Sequence, residues 1–167
     1  MTAQCYSFPA IVDPEARILI LGSMPGEASL RAQQYYAHPQ NAFWKIMDKI
    51  FGAGPGKDYA LRVAILQAAG IAVWDVLQSC ERTGSLDSAI KEETPNDFAA
   101  FFKNYPGITH VFFNGAKAEA SFHRLVLPNL GQTGIRYLRL PSTSPAHAMQ
   151  NFETKLAAWR AITQTDL

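Results

Sequence analysis

The stretch RILILG at 17–22 is a short, nearly continuous apolar run that ends in glycine. Such a run is typical of a strand that is buried on both faces of a sheet. Three further strands are predicted at 71–77 (IAVWDVL), 110–115 (HVFFNG) and 136–140 (RYLRL), with helical patterns between them. Strands that alternate with helices indicate parallel β-α units joined by right-handed crossovers. We therefore predict an α/β fold, a three-layer α/β/α sandwich around a mainly parallel sheet of about four strands.

The helix predictions rest on apolar residues at helical spacing and on residues typical of helix ends. Thr94 is predicted to be the N-cap of one helix, with Pro95 at its first position. The other predicted helices span 42–51, 58–69, 116–127 and 151–162. The segments 23–40 and 78–93 are predicted to be long connections without regular structure.

The composition is that of a globular protein with a large core. Of the 167 residues, 48% are hydrophobic and 17% are charged, which predicts one domain over 1–167. Lys and Arg number 15 and Asp and Glu 14, giving a formal net charge of +1. Bulk charge therefore gives no argument for a nucleic-acid, membrane or acidic partner, and a nucleic-acid site would have to be a local patch.

The sequence offers no pattern for a metal, a cofactor or a membrane span. Cys5 and Cys80 are too few for a disulfide framework, a four-thiolate zinc site or an iron–sulfur cluster. The four histidines lack metal-ligand spacing, and the glycine-rich phosphate-binding fingerprints are missing. No apolar stretch approaches the ~20 residues that cross a membrane, and the N-terminus has no secretory pattern. We expect a cytoplasmic monomer with no metal and no cofactor.

Ligands of open parallel sheets bind at the carboxyl ends of the strands. This rule selects the segments 22–26, 75–80, 114–117 and 141–147. The first is a glycine-rich turn, which is either a backbone cradle for a ligand or simply a tight turn. The last is rich in serine and proline, and it is either a grip for a phosphate or an ordinary turn.

The block YYAHPQNAFWK at 35–45 concentrates aromatic and polar residues where a helix begins. Tyr35 and Tyr36 precede the helix, where a ring could stack on a nucleobase, a contact worth roughly 1–3 kcal/mol per base. Asn41 could cap the helix or serve a site. A lone histidine such as His38 is more typical of a surface or packing position than of a catalyst.

Three motifs in order resemble the uracil-DNA glycosylase superfamily. They are GSMPG at 22–26, YAHPQNAFWK at 36–45 and LPSTSP at 140–145. The nearest likeness is to the hypoxanthine-DNA (deoxyinosine) glycosylase branch, which is related to the mismatch-specific uracil/thymine branch. The resemblance runs from about Arg17 to Trp159, nearly the whole chain.

The resemblance implies a catalytic residue and a stacking residue. The mismatch-specific branch carries its catalytic asparagine in the first motif, where this chain has Met24, and a thioether cannot orient water. The hypoxanthine branch takes the asparagine of its second motif, which here is Asn41. Tyr36 stands where the family stacks an aromatic ring on the extruded base. His38 is a possible supporting residue that we do not expect to be essential.

The remaining implied contacts are with the base and with the DNA backbone. The polar edge of the base is expected to meet Ser23, Met24, Gly26 and Asn114. The loop with Ser142, Thr143, Ser144 and His147 is expected to press on the flanking phosphates. Further basic candidates for phosphate contacts are Arg31, Lys45, Lys117 and Arg139.

The function that the resemblance implies is base-excision repair of DNA. The enzyme would flip a deaminated base, hypoxanthine or uracil, out of the duplex, hydrolyse its N-glycosidic bond and leave an abasic site. Three alternatives stay open: a glycosylase specific for uracil or thymine in mismatches, a damaged-DNA-binding module without catalysis, and an unrelated doubly wound protein that binds a nucleotide or flavin.

Overall fold

The computed structural model describes residues 3–146 and 150–165. The seven strands are β1 (Ala3–Tyr6), β2 (Ile18–Gly22), β3 (Ile71–Asp75), β4 (Leu77–Arg82), β5 (Lys91–Pro95), β6 (His110–Asn114) and β7 (Arg136–Leu140). The six α-helices are α1 (Glu27–Ala32), α2 (Phe43–Phe51), α3 (Tyr59–Ala68), α4 (Phe98–Asn104), α5 (Ala116–Leu125) and α6 (Phe152–Trp159).

The central sheet has four parallel strands in the order β3-β2-β6-β7. Every residue of β2 is buried, as the continuous apolar run predicted. Successive side chains of a strand point to opposite faces. Ile18 and Ile20 therefore pack in one core with α2, α3 and α6, whereas Leu19 and Leu21 pack in a second core with α4 and α5. The predicted α/β sandwich around about four parallel strands is confirmed.

A second sheet occupies the segment that the sequence predicted to be a connection. Strands β1, β4 and β5 form an antiparallel sheet in the order β1-β4-β5. The prediction of an irregular 78–93 segment is therefore wrong. The sequence gives little sign of this sheet because β5 is largely exposed and polar. It therefore shows little of the hydrophobic alternation of a half-buried strand.

Two further predictions, the helix start at Thr94 and the irregular loop at 23–40, are also wrong. Thr94 and Pro95 do not begin a helix, because they end β5, where Thr94 pairs with Ser79. The N-cap of α4 is Asp97, whose Oδ1 accepts a hydrogen bond of 3.1 Å from the Ala100 N–H. The predicted loop at 23–40 contains the short helix α1.

We expect Asp97→Ala to lower the free energy of unfolding by about 1 kcal/mol, because an N-cap side chain satisfies an otherwise unpaired N–H of the first helical turn. In a domain of this size that corresponds to a decrease of roughly 3 °C in Tm. Calorimetry on the purified variant measures it. Thr94→Ala is the matched control and should stay within about 0.5 kcal/mol of wild type. An equal loss in both variants would contradict the reassigned cap.

Candidate active site

A cavity of about 640 Å³ opens at the carboxyl ends of the central strands. Such a volume lies in the range typical of small-molecule sites. Its walls come from all three motif segments, from the ends of β3 and β6 and from the connection between β4 and β5, and they include Ser23, Tyr36, Asn41, Asp75, Asp87 and Asn114. The parallel register brings these segments together, since strands that run in the same direction end at the same edge.

The first motif is held in place by the segment that connects β4 to β5. The Ser23 hydroxyl donates a hydrogen bond of 2.6 Å to Asp87 Oδ1, and the Glu27 N–H donates to Ser85 Oγ at 2.8 Å. A side chain at Gly26 would meet Ser85 Oγ at 3.2 Å, so the two segments are in close contact. Ser85 and Asp87 are therefore part of the cavity wall, a role that the sequence did not assign to them.

A buried arginine of the second sheet supports the same motif. Arg82 is 2% exposed, and its Nη2 donates a hydrogen bond to the carbonyl oxygen of Pro25. Met24, predicted to contact the base, is buried in the core between the sheet and α4 and α5 while it also lines the cavity. The conformation of the first motif thus depends on the second sheet.

Asn114 and Thr143 hold each other through two hydrogen bonds. Asn114 Nδ2 donates to Thr143 Oγ1, and the Thr143 N–H donates to Asn114 Oδ1, both at 2.9 Å. The Thr143 carbonyl also accepts from the Ala42 N–H at 3.0 Å. These three hydrogen bonds link the last motif to β6 and to the start of α2, and Thr143 itself is buried, at 1% exposure. The base-binding and phosphate-binding roles of this pair stay predictions.

The serines of the last motif shape its backbone. The Ser144 N–H donates to Ser142 Oγ at 3.1 Å, and the Ala146 N–H donates to Ser144 Oγ at 3.2 Å. Both serines line the cavity, as their predicted position at the last strand end requires. His147, the fourth residue predicted to contact DNA, lies outside the described residues.

Tyr36 forms part of the cavity wall in an unusual backbone conformation. Its φ is +55°, in the left-handed region that side chains other than glycine seldom adopt. One face of its ring stacks on Phe43, with the ring centroids 4.1 Å apart and the planes 24° from parallel. A base could therefore stack only on the opposite face of the ring. The Tyr36 hydroxyl is buried beside Gly22.

Asn41 lies directly before Ala42, the N-cap of α2, so it is not the cap itself, and its catalytic role stays a prediction. Its Oδ1 accepts a hydrogen bond of 2.9 Å from the Phe43 N–H at the start of α2, and the residue also lines the cavity. This bond fixes the plane of the carboxamide before any ligand arrives. His38 is exposed at the cavity, and its Nδ1 accepts from the Gln40 N–H at 3.1 Å.

The family model described as "Uracil DNA glycosylase superfamily" matches residues 9–165. The chain belongs to this superfamily. The family expected from the three motifs is thus confirmed, and the match takes in every segment of the cavity wall.

Individual relatives in the superfamily agree with this assignment. A protein of Methanosarcina acetivorans named hypoxanthine DNA glycosylase is 35% identical over 156 residues, 93% of this chain and 95% of the relative. A protein of Methanosarcina barkeri with the same name is 39% identical over 112 residues, 66% of this chain and 71% of the relative. A solution NMR structure of a candidate uracil DNA glycosylase from Methanosarcina acetivorans superposes with a TM-score of 0.81 at 33% identity, covering 96% of each chain.

The described residues show neither a membrane-spanning helix nor a metal-binding cluster. Among the helices within residues 3–146 and 150–165, none is long and apolar enough to span a membrane. Within the same ranges, no group of three or more His, Cys, Asp or Glu side chains is placed to hold a metal ion.

The cavity wall contains one buried carboxyl group, that of Asp75, to which the sequence analysis assigned no role. Asp75 ends β3 directly beside Gly22 of β2, and it is 3% exposed. Its Oδ2 has no hydrogen-bond partner in the part of the chain that the structure describes. Burial raises the pKa of Asp75 to about 7, and the negative charge of Asp87 adds to this rise while Arg82 opposes it. A carboxyl residue within the apolar run IAVWDVL was the signal in the sequence.

We expect Asp75→Asn to stabilise the protein more at pH 8 than at pH 5. The pKa of Asp75 rises from an ordinary 3.8 to about 7 on folding, so folding favours the protonated acid. The contribution of Asp75 to the free energy of unfolding is therefore fully present below about pH 4 and is lost as the pH rises through 7. The asparagine cannot ionise, and the gain in Tm over wild type should be roughly 5 °C larger at pH 8. Thermal unfolding across this pH range measures it, and a gain independent of pH would contradict the raised pKa.

Proposed function

We propose that the protein is a monofunctional DNA glycosylase that removes deaminated bases, hypoxanthine above all, from DNA. The observation that carries the proposal is the cavity in which Asn41, Tyr36 and the GSMPG turn meet at the carboxyl edge of the sheet. Two relatives that bear the name hypoxanthine DNA glycosylase, at 35% and 39% identity, support the choice of base.

The substrate must leave the helix before it can react. The C1′ atom and the glycosidic bond of a stacked nucleotide are inaccessible, and extruding the nucleotide costs a few kcal/mol, least for a mismatched or damaged base. The cavity of about 640 Å³ has room for a purine and its sugar. The face of the Tyr36 ring that does not stack on Phe43 is the candidate stacking surface for the extruded base.

Asn41 supplies the group that positions the attacking water. A carboxamide is a poor base near neutral pH, so it orients the water and stabilises the cationic sugar rather than removing a proton outright. The bond to the Phe43 N–H holds the carboxamide in one orientation, which lowers the cost of reorganisation. The water oxygen bonds to C1′ and gives up a proton to solvent, while the electron pair of the C1′–N bond passes to the base.

The product is an abasic site because no amine is available for a Schiff base among the described residues of the cavity wall. Lys117 lines the cavity, and its Nζ lies 2.8 Å from Glu93 Oε1. Burial of Glu93 opposes ionisation, but hydrogen bonds from Lys117, Ser121 and Arg124 outweigh it and lower the pKa of Glu93. Lys117 Nζ is therefore held in an ion pair at the cavity wall and is not free to attack the sugar.

Residues at the rim of the cavity are the candidates for contacts with the DNA backbone. Ser142 and Ser144 lie there on the last motif, and Arg31 lines the cavity from α1. Arg139, also a candidate, pairs with Glu119 at 3.5 Å. Action as a monomer in the cytoplasm stays a prediction from the sequence.

The decisive experiment is single-turnover excision from duplexes that carry one deoxyinosine or one deoxyuridine. We expect wild type to release hypoxanthine, and Asn41→Ala to be slower by about 10²–10³-fold, the loss typical of one transition-state contact. Gln40→Ala is the matched control, since this neighbouring carboxamide is exposed and should leave the rate unchanged.

Other outcomes separate the alternatives. Release of uracil alone would assign the protein to the mismatch-specific type of activity. Binding of both duplexes without release of either base would indicate a damaged-DNA-binding module. Full activity in Asn41→Ala would refute the catalytic assignment.

A further inference from the structure

Two buried polar atoms in the cavity wall have no hydrogen-bond partner among the described residues. They are Asp75 Oδ2 and the Tyr36 hydroxyl. Both side chains lie against Gly22, where an added Cβ would come within 2.7 Å of Asp75 Oδ1 and 3.0 Å of Tyr36 Oη. Buried polar atoms in native proteins are almost always paired, with protein, water or a ligand. This corner of the cavity is therefore built to receive a polar partner.

The corner is also the place where the charge state of the wall matters most for the reaction. A base that departs from C1′ keeps the electron pair of the glycosidic bond and becomes negatively charged as the bond breaks. A carboxylate beside it would raise the barrier by like-charge repulsion, whereas a neutral carboxylic acid has an O–H that can donate a hydrogen bond.

The surroundings of Asp75 disfavour its ionised form. Its own backbone carbonyl is occupied by Asn96 Nδ2, at 2.8 Å. The charged and titratable groups that act on its side chain are Asp87 from the β4–β5 connection, Arg82 from β4, and Tyr35 and Tyr36 from the segment before α2. Arg82 is the one cation in this set and opposes the rise in the pKa of Asp75; its Nη2 donates to the Pro25 carbonyl, and its Nε and Nη1 have no partner among the described residues. Asp87 accepts the Ser23 hydroxyl and faces Asp75 as a second acid.

We propose that Asp75 acts as a neutral carboxylic acid that donates a hydrogen bond to the extruded base and stabilises the negative charge on it as the bond breaks. The inference rests on the proposed glycosylase function and adds a catalytic residue to it. A ring carbonyl of a deaminated base is the acceptor. The proton stays on Asp75 during this step, and the departing base takes its own proton from water afterwards.

The acid also matches the shape of a deaminated base edge. Hypoxanthine and uracil both carry a ring N–H next to a carbonyl group. The O–H of a carboxylic acid can donate to that carbonyl while its C=O accepts the N–H, so both polar atoms of the base edge are satisfied at once. The ionised form can only accept, and it leaves the ring carbonyl without a donor.

The test is the pH dependence of single-turnover excision between pH 5.5 and 9 for wild type, Asp75→Asn and Asp75→Ala. We expect the wild-type rate to fall above about pH 7, approaching tenfold per pH unit, as Asp75 ionises. Asp75→Asn keeps a neutral donor, so its rate should be nearly level over this range. Asp75→Ala should be at least tenfold slower than wild type at pH 6, while the Kd for damaged duplex changes less than threefold.

Asp48→Asn is the control, because it removes an exposed carboxylate of α2 and should preserve the wild-type profile. An alkaline decline that persists unchanged in Asp75→Asn overturns the inference, as does an Asp75→Ala variant that is as fast as wild type. If wild type releases uracil but not hypoxanthine, the same comparison is made on uracil. Failure of wild type to release either base overturns the proposed function itself and the inference with it.

Discussion

Gly22 has no side chain, and the space beside its Cα is filled by Asp75 from the next strand and by the Tyr36 hydroxyl. Because β2 and β3 are parallel and in register, Gly22 and Asp75 are direct neighbours at the strand ends. Any larger residue at 22 would displace the buried carboxyl group or the aromatic wall. The cavity therefore depends on one close approach between two strands, and the surrounding cores keep that approach rigid.

The second sheet gives the site its electrostatic character. Strand β4 carries Arg82 under the first motif, and the connection that follows it brings Asp87 to Ser23. Each of these groups also acts on Asp75, in opposite directions. The small antiparallel sheet is thus more than an addition to the sandwich, because it sets both the shape of the GSMPG turn and the charge of the cavity wall.

The buried acid illustrates a conflict between stability and function. A carboxyl group without a partner costs folding free energy, and that cost rises as the group ionises. Tyr36 adds local strain through its positive φ. Strained and unsatisfied groups of this kind cluster at functional sites, where a ligand supplies the missing contacts. The adjacent Asn114–Thr143 pair is fully hydrogen-bonded and provides the rigid frame that the strained part lacks.

The parallel sheet, the strand ends that form the cavity and the superfamily were all predictable from the sequence, since a buried strand such as β2 has a distinctive apolar pattern and the motifs follow strand ends. It misplaced the start of α4 and missed the second sheet, because exposed strands carry little hydrophobic signal. The strand-end rule already placed Asp75 at the ligand-binding edge, but the burial of its Oδ2 without a partner among the described residues and the bond from Ser23 to Asp87 are visible only in the tertiary structure. Gly22 and Asp75 are 53 positions apart in the sequence, and Ser23 and Asp87 are 64 positions apart. No local sequence pattern encodes such contacts, because the register of the central sheet and the separate β4–β5 hairpin create them.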